Sequence, residues 1–508
     1  MAVAAPDALR LDSPPGRWVL AVAVMGSGLA FLDGTVVNVA LPAIGRDLGA
    51  STSALQWILN GYLLTLASLI LLGGSLGDRY GRRRVFVLGV GLFTIASLLC
   101  AIAPSAALLV AARLLQGVGG ALLTPGSLAM LEASFRPGDR ARAIGAWSGL
   151  SGVTTAFGPL LGGYLVEAVS WRAVFLINLP IGLFVIAMAI RHVPETRDLT
   201  ATGPLDLTGA VLGAVGLAGT TYALIEGPDK GMDAAIVLTG AGGAAALVAF
   251  LLVERRSPNP MVPLGIFASR QFSAANLVTF AVYAALSGVF FLLVAFLQIS
   301  VGYSPIAAGA ATLPVTALML TLSARAGALA QRIGPRIPLT VGPFVIAAGM
   351  LLMTRISRGD SYAATVLPAV VVFGLGLTLV VAPLTATVLA AADERHAGIA
   401  SGINNAVSRI AGLLAVAVLP LVAGLSGDAF YDPAALSHGF RVAITTCAVL
   451  AAAGGVVAWL TISDDALAAE PYQGDATPAR QATDFSCAVA GAPLCPHGEA
   501  EAAAAGRA

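Results

Sequence analysis

Lysine is nearly missing from this chain. Of 28 basic residues among 508, Lys230 is the one lysine and the rest are arginine. A loop that cradles phosphates needs Gly-Lys-Ser/Thr, and Lys230 stands between Asp229 and Gly231. An ATP-driven motor on this chain is thereby excluded. Charge is scarce too: 11% of residues are charged, against about 25% in a soluble domain. Such a surface cannot be solvated by water, so lipid must be the solvent. The net charge of +1 gives no bulk field for nucleic acid. The four cysteines make no disulfide framework. Cys100 and Cys447 fall in apolar stretches, and Cys487 and Cys495, near His497, do not have a zinc spacing.

What the chain has in abundance is long apolar runs: 57% of residues are hydrophobic and the mean hydropathy is +0.88. A helix needs about 20 apolar residues to cross a bilayer. Windows of that kind fall at 17–41, 55–76, 84–103, 105–131, 142–166, 171–191, 205–225, 234–253, 272–298, 305–328, 337–355, 362–390, 400–424 and 439–462. The expectation is an all-α membrane protein with fourteen spans. The first window is followed at once by others, so it reads as a retained span rather than a cleaved leader. Arginine sets the orientation. The amino terminus and every second loop after it hold eighteen basic residues, and the opposite loops hold six. Positive loops stay inside, so both termini are expected in the cytoplasm. Residues 1–16 read as a short cytoplasmic segment, and 463–508, alanine-rich and polar, as a disordered tail.

Residues 73–84 read Gly-Gly-Ser-Leu-Gly-Asp-Arg-Tyr-Gly-Arg-Arg-Arg between two apolar runs. Asp78 closes the second span, Gly77 and Gly81 permit a sharp turn, and Arg79, Arg82 and Arg83 project beside the aspartate, with Gly73 one turn earlier. Charge decoration alone needs arginines but neither the aspartate nor the glycine spacing, which points to gating. The pattern recurs weakly: Gly81 and Gly334 are 253 apart, Arg140 and Arg395 255 apart, and Gly158 and Gly412 254 apart. A near-constant offset implies one six-span unit used twice, over 17–191 and 272–462, with the spans at 205–253 inserted between. Duplicated six-helix halves are a transporter architecture with the solute site between them.

Ionisable groups inside spans are costly and mark function. Asp33 lies in the first span and Arg113 in the fourth, at similar depth; they could pair, or take turns holding a proton. Arg409 lies in the thirteenth and either lines the cavity or snorkels to the interface. Gly149, Gly152, Gly158, Pro159, Gly162 and Gly163 share the fifth span, where small residues let helices approach closely. That cluster reads as a seam sealing one side of a cavity. Asn38, Gln56, Asn60, Tyr62, Gln116, Thr124, Tyr283 and Gln298 are polar enough to face a cavity or to bond between helices.

These residues resemble the major facilitator superfamily, in particular its fourteen-span branch of drug:proton antiporters. Residues 73–84 are similar to its signature loop, 113–125 to its fourth-span proton-relay motif with Arg113 as the relay arginine, 149–163 to its fifth-span antiporter motif, and 32–42 to a first-span motif of that branch. The resemblance covers about 17–462. It implies a major facilitator fold of two six-helix bundles plus two inserted helices. It also implies export of amphipathic or hydrophobic small molecules, drugs and antibiotics among them, in exchange for protons. The partners would be the substrate, protons and the cell-membrane bilayer. No cofactor, metal, ATPase subunit or nucleic acid is implied, the proton gradient being the energy source. Two departures count: Gln331 stands where the repeat would place Asp78, and the tenth span carries no acid, which weakens any case for dicationic substrates. A dedicated exporter of a self-made metabolite, or a non-transporting sensor or scaffold, are the alternatives.

Overall fold

A computed structural model describes residues 8–198, 204–391 and 397–467. Helices follow one another with short turns: α1 (Pro14–Leu48), α2 (Thr52–Tyr80), α3 (Arg82–Ile102), α4 (Ala106–Ser134), α5 (Pro137–Ala168), α6 (Ala173–His192), α7 (Leu207–Lys230), α8 (Ala234–Arg256), α9 (Arg270–Val301), α10 (Pro305–Ile333), α11 (Arg336–Met353), α12 (Tyr362–Ala390), α13 (Ala397–Val422) and α14 (Pro433–Thr461). Thirteen are long and apolar enough to span a bilayer. The remaining one, α5, has 32 residues, about 48 Å of helix, and packs along α1. Glycine, serine and threonine dilute its apolar content. An all-helical solution is what lipid demands, because a helix satisfies its backbone groups internally.

The helix starts are built locally. Ser13, Ser51, Ser105, Asp206, Asp233, Ser269, Ser304 and Asp432 each accept a backbone N–H of the first turn, satisfying donors that the helix cannot. α1 outruns its expected window at both ends. It carries Pro42 within it and stops at Gly49, whose φ of 57° suits a residue without Cβ.

Helices α1–α6 pack among themselves, as do α9–α14. The halves meet along α2 against α13, α5 against α10, and α1 against α9. Matching spans eight apart, the first two contacts are images of each other. The repeat is visible in atoms as well. Gly81 ends α2 with φ 113° and Gly334 ends α10 with φ 84°. A Cβ on Gly158 would strike Thr35 of α1, and one on Gly412 would approach Ser287 of α9. Arg395, the third landmark of the repeat, lies outside the described residues. The inserted α7 and α8 pair with each other, and α7 lies against both α2 and α13. Hydrogen bonds tie it there: Trp57 Nε1 donates to Glu226 Oε1 (2.8 Å), and Gly427 N donates to Asp229 Oδ1 (2.9 Å).

The ends of the described chain carry local order. The Leu9 N–H donates to Ser134 O (2.8 Å) and its carbonyl accepts from Arg136 N (3.2 Å), strapping the segment across the α4–α5 turn. Asp464–Leu467 forms a short 3-10 turn; the rest of the expected tail, 468–508, lies outside the described residues.

Candidate functional site

Asp33 and Arg113 form an ion pair, Arg113 Nη1 donating to Asp33 Oδ2, and each residue is 1% exposed. α1 runs seven residues past its expected end at 41, so Asp33 sits deeper than the window implied, roughly 22 Å from the helix end. Around the pair the polar side chains interlock, although Asn178 Oδ1 is buried without a hydrogen-bond partner. Arg113 Nε donates to the Ile58 carbonyl (2.9 Å) and Nη1 to Gln116 Oε1 (2.6 Å). Gln116 Nε2 donates to Asp33 Oδ1 (2.8 Å) and to Ser97 Oγ (2.9 Å). Asn178 Nδ2 reaches Asp33 Oδ1 and Ser97 Oγ, both at 3.3 Å. The guanidinium lies 4.5 Å from the Tyr62 ring centroid, within cation–π range. Five helices, α1, α2, α3, α4 and α6, thus converge on one buried carboxylate.

This geometry corrects part of the expected cavity lining. Tyr62 and Gln116 are buried, at 2% and 0% exposure, and hold the ion pair rather than face an opening. A buried amide must spend its donors and acceptors, and the nearest taker is the pair. Asn38 turns back on its own helix, donating to Gly34 O (3.1 Å). Asn60 and Thr124 are buried with no hydrogen-bond partner. Gln298 donates to Val39 O across the halves (3.0 Å). Tyr283 and Arg409 are half-buried, and Arg409 reaches from α13 to Phe31 of α1, 5.8 Å from guanidinium carbon to ring centroid. It lies mid-helix and does not snorkel. Sequence reasoning missed Ser97 and Asn178; the amide of Asn178 inside an apolar run, ahead of Leu179-Pro180, was the available signal.

The arginine-rich loop is a single-residue turn. α2 ends at Tyr80 and α3 begins at Arg82. Arg82 Nη2 bonds Asp78 Oδ1 (2.8 Å), Arg83 N donates to Glu195 Oε1 (3.1 Å), and Arg82 N donates to Thr196 O (2.9 Å). The turn is therefore latched to the segment after α6. Gly77 accepts the Gly81 N–H that closes the helix, Arg79 lies over Tyr80, and Gly73 packs on the α4 backbone at Ala121 rather than in the turn. Gly81 has no room for a Cβ because the Glu195 carboxylate is 2.6 Å from that position; at Gly334 the Asp464 carboxylate plays the same part, also at 2.6 Å. Asp464 thus answers Glu195, while Gln331 still leaves the Asp78 position of the second half without an acid.

On α5 the glycines divide their work. Gly158 and Gly162 sit against Thr35 and Val36 of α1, while Gly163 sits on Pro305 and Ile306 of α10, and the Pro159 carbonyl fills the space beside Gly309. Gly149 faces open space and is not part of that seam. Hydrogen bonds between the halves gather at this same end, opposite the arginine-rich turns. Thr52 Oγ1 donates to Gly427 O (2.7 Å), Gln56 Nε2 to Val416 O (2.7 Å), Tyr431 Oη to Ala50 O (2.6 Å), and Ile306 N to Glu167 Oε2 (3.1 Å). The halves are sealed there.

A helical carrier of two such halves, with buried charge in one of them, is the class that this arrangement defines. The Major Facilitator Superfamily model matches residues 23–416. The chain is 36% identical over 481 residues to the puromycin resistance protein pur8 of Streptomyces alboniger, covering 92% of this chain and 95% of that protein. It is 37% identical over 433 residues to the tetracenomycin C resistance and export protein of Streptomyces glaucescens, covering 85% and 80%. In solved structures, a D-xylose-proton symporter superposes with a TM-score of 0.63 at 15% identity, covering 88% of this chain and 98% of that one; this likeness concerns the fold. The chain belongs to the Major Facilitator Superfamily and is a multi-span membrane transporter, not an enzyme.

Proposed function

We propose that the chain sits in the plasma membrane with both termini in the cytoplasm and exports amphipathic or hydrophobic small molecules in exchange for protons. The buried Asp33–Arg113 pair carries this reading. Two charges taken from water cost several kcal/mol each, which a pair recovers only with good geometry. A protein that needed packing alone would do as well with apolar residues. Protonation of Asp33 cancels its charge and leaves Arg113 with the Ile58 carbonyl, Gln116 and the Tyr62 face. That change biases α1 against α4, a two-state element of the kind coupled carriers use. The Asp78–Arg82 turn and the α5–α10 seam would govern which side opens. The present arrangement, sealed at the end away from the arginines, then corresponds to access from the cytoplasm. The relatives' names, each carrying an antibiotic, support export of such compounds, and a dedicated exporter of one self-made metabolite is the second reading they favour. The energy source is the proton gradient, with no cofactor.

The test is exchange in inverted membrane vesicles. The lumen is acidified first, and a panel of dyes and antibiotics, puromycin included, is then added. Proton release on addition, absent from vesicles carrying Asp33→Asn, is the expected result. Undiminished release by that variant would remove Asp33 from the mechanism.

A further inference from the structure

Arg409 is the charge that the ion pair leaves over. It stands twelve residues into α13, which begins at Ala397 and ends at Val422, so about 18 Å of helix separate it from either end. No arginine side chain spans that distance to the headgroups. It points instead across the boundary between the halves to Phe31, and Tyr62 and Tyr283 lie within its electrostatic reach. Among the described residues it makes no ion pair, and its Nε is buried without a hydrogen-bond partner. Apart from Asp33, which is taken by Arg113, the described carboxylates of both halves sit in turns or in the terminal turn of a helix. The space between the halves therefore holds an uncompensated positive charge at mid-depth, where a lone charge is expensive.

The surroundings define what would compensate it. Asn405, one turn earlier on the same face of α13, is exposed, and Phe31 and Tyr283 supply half-buried aromatic surface. A Cβ on Gly34 would meet no atom within 4 Å, so there is room beside Phe31. We propose that Arg409 binds an acidic group of the transported compound, so that the site between the halves takes amphipathic anions: apolar or aromatic bodies bearing one carboxylate, sulfonate or phenolate. The proposal rests on the transport reading but not on proton exchange.

The test uses three pyrene probes that share one aromatic body and carry an anionic, a neutral or a cationic head: pyrenebutyrate, pyrenebutanol and pyrenebutyltrimethylammonium. Binding to the full-length protein in mild detergent is followed by quenching of tryptophan fluorescence. A charged hydrogen bond exchanged for a neutral one corresponds to about a 2- to 30-fold preference, so pyrenebutyrate should bind that much more tightly than pyrenebutanol, with the cation weakest. Arg409→Gln should erase the preference, and Arg409→Lys should keep part of it. Should Arg409→Gln fail to fold, the ranking of the three probes on the unaltered protein still decides. Equal binding of the three, binding of none, or a preference that survives Arg409→Gln overturns the proposal. A charge preference that depends on Arg409 in a protein that releases no protons in the vesicle assay would sink proton exchange and leave this inference standing.

Discussion

Replacing one member of the buried ion pair and then both is the most direct probe of the site. Asp33→Asn keeps the shape and removes the charge. Arg113 then stays buried with the Ile58 carbonyl at 2.9 Å, Gln116 Oε1 at 2.6 Å and the Tyr62 ring at 4.5 Å. Breaking a buried pair costs about 3–5 kcal/mol, and these remaining partners put Asp33→Asn at the low end. Arg113→Gln leaves the Asp33 carboxylate with the amides of Gln116 (2.8 Å) and Asn178 (3.3 Å) alone, which places it at the high end. In the double variant no charge is left uncompensated, so its loss should fall short of the sum by about 2–3 kcal/mol, the upper range for coupled neighbours. Stability is read from unfolding in mild detergent micelles titrated with sodium dodecyl sulfate, followed by circular dichroism. Losses that add to within about 0.5 kcal/mol, as for independent sites, would refute the premise that the two charges face each other in a dry interior.

Other elements make separate predictions. Asp78→Ala should cost under about 1 kcal/mol of stability, since the Arg82 pair is part-exposed, yet slow turnover more than it weakens substrate binding; unchanged turnover would count against gating. Gly163→Val would push a Cβ to 2.5 Å from the Pro305 carbonyl and destabilise the sealed arrangement by about 1–3 kcal/mol. Faster labelling of a cysteine substituted for Gln298 by a membrane-impermeant maleimide is the expected readout, and an unchanged rate would contradict the seam. Trp57→Phe removes the bond to Glu226, worth about 1 kcal/mol, and should speed hydrogen exchange along α7; identical exchange would show that the inserted pair is held by its apolar face alone.

The helices were legible because lipid imposes a single test, a run of about 20 apolar residues, and thirteen helices of the structure meet it. What hydropathy could not supply was the extent of α1 beyond Pro42, where local capping at Gly49 decides. Asp33 and Arg113 stood out by the cost of burying charge. Ser97 and Asn178 did not, because neutral polar side chains are inexpensive in spans and bond wherever a neighbour offers. Tyr62 and Gln116 read as cavity lining for a related reason: helical periodicity tells which residues share a face, not which helix the face meets. The acids beside Gly81 and Gly334 were invisible in another way. Glu195 and Asp464 lie more than a hundred residues from the glycines they approach, and nothing in the local sequence announces them.

That last comparison bears on how the molecule divides its labour. Duplication holds at two glycines that other side chains approach closely. Gly158 against Thr35 is matched by Gly412 against Ser287, and Gly81 under Glu195 by Gly334 under Asp464. It fails where charge is buried. At the offset that relates Thr35 to Ser287, Asp33 is answered by Ala285; at the offset that relates Gly158 to Gly412, Arg409 is answered by Thr155. A symmetric scaffold can rock about its seam in either direction at similar cost. A carboxylate in one half and, in the other, a guanidinium that makes no ion pair among the described residues give two ligands separate places to bias that motion. Their coupling can then run through the contact between α1, which carries both Asp33 and Phe31, and α13, which carries Arg409. If so, Phe31→Ala should weaken the dependence of anion binding on pH while leaving the Asp33–Arg113 pair intact, and pyrenebutyrate titrations across pH on that variant would show a dependence as steep as in the unaltered protein if the contact carried nothing.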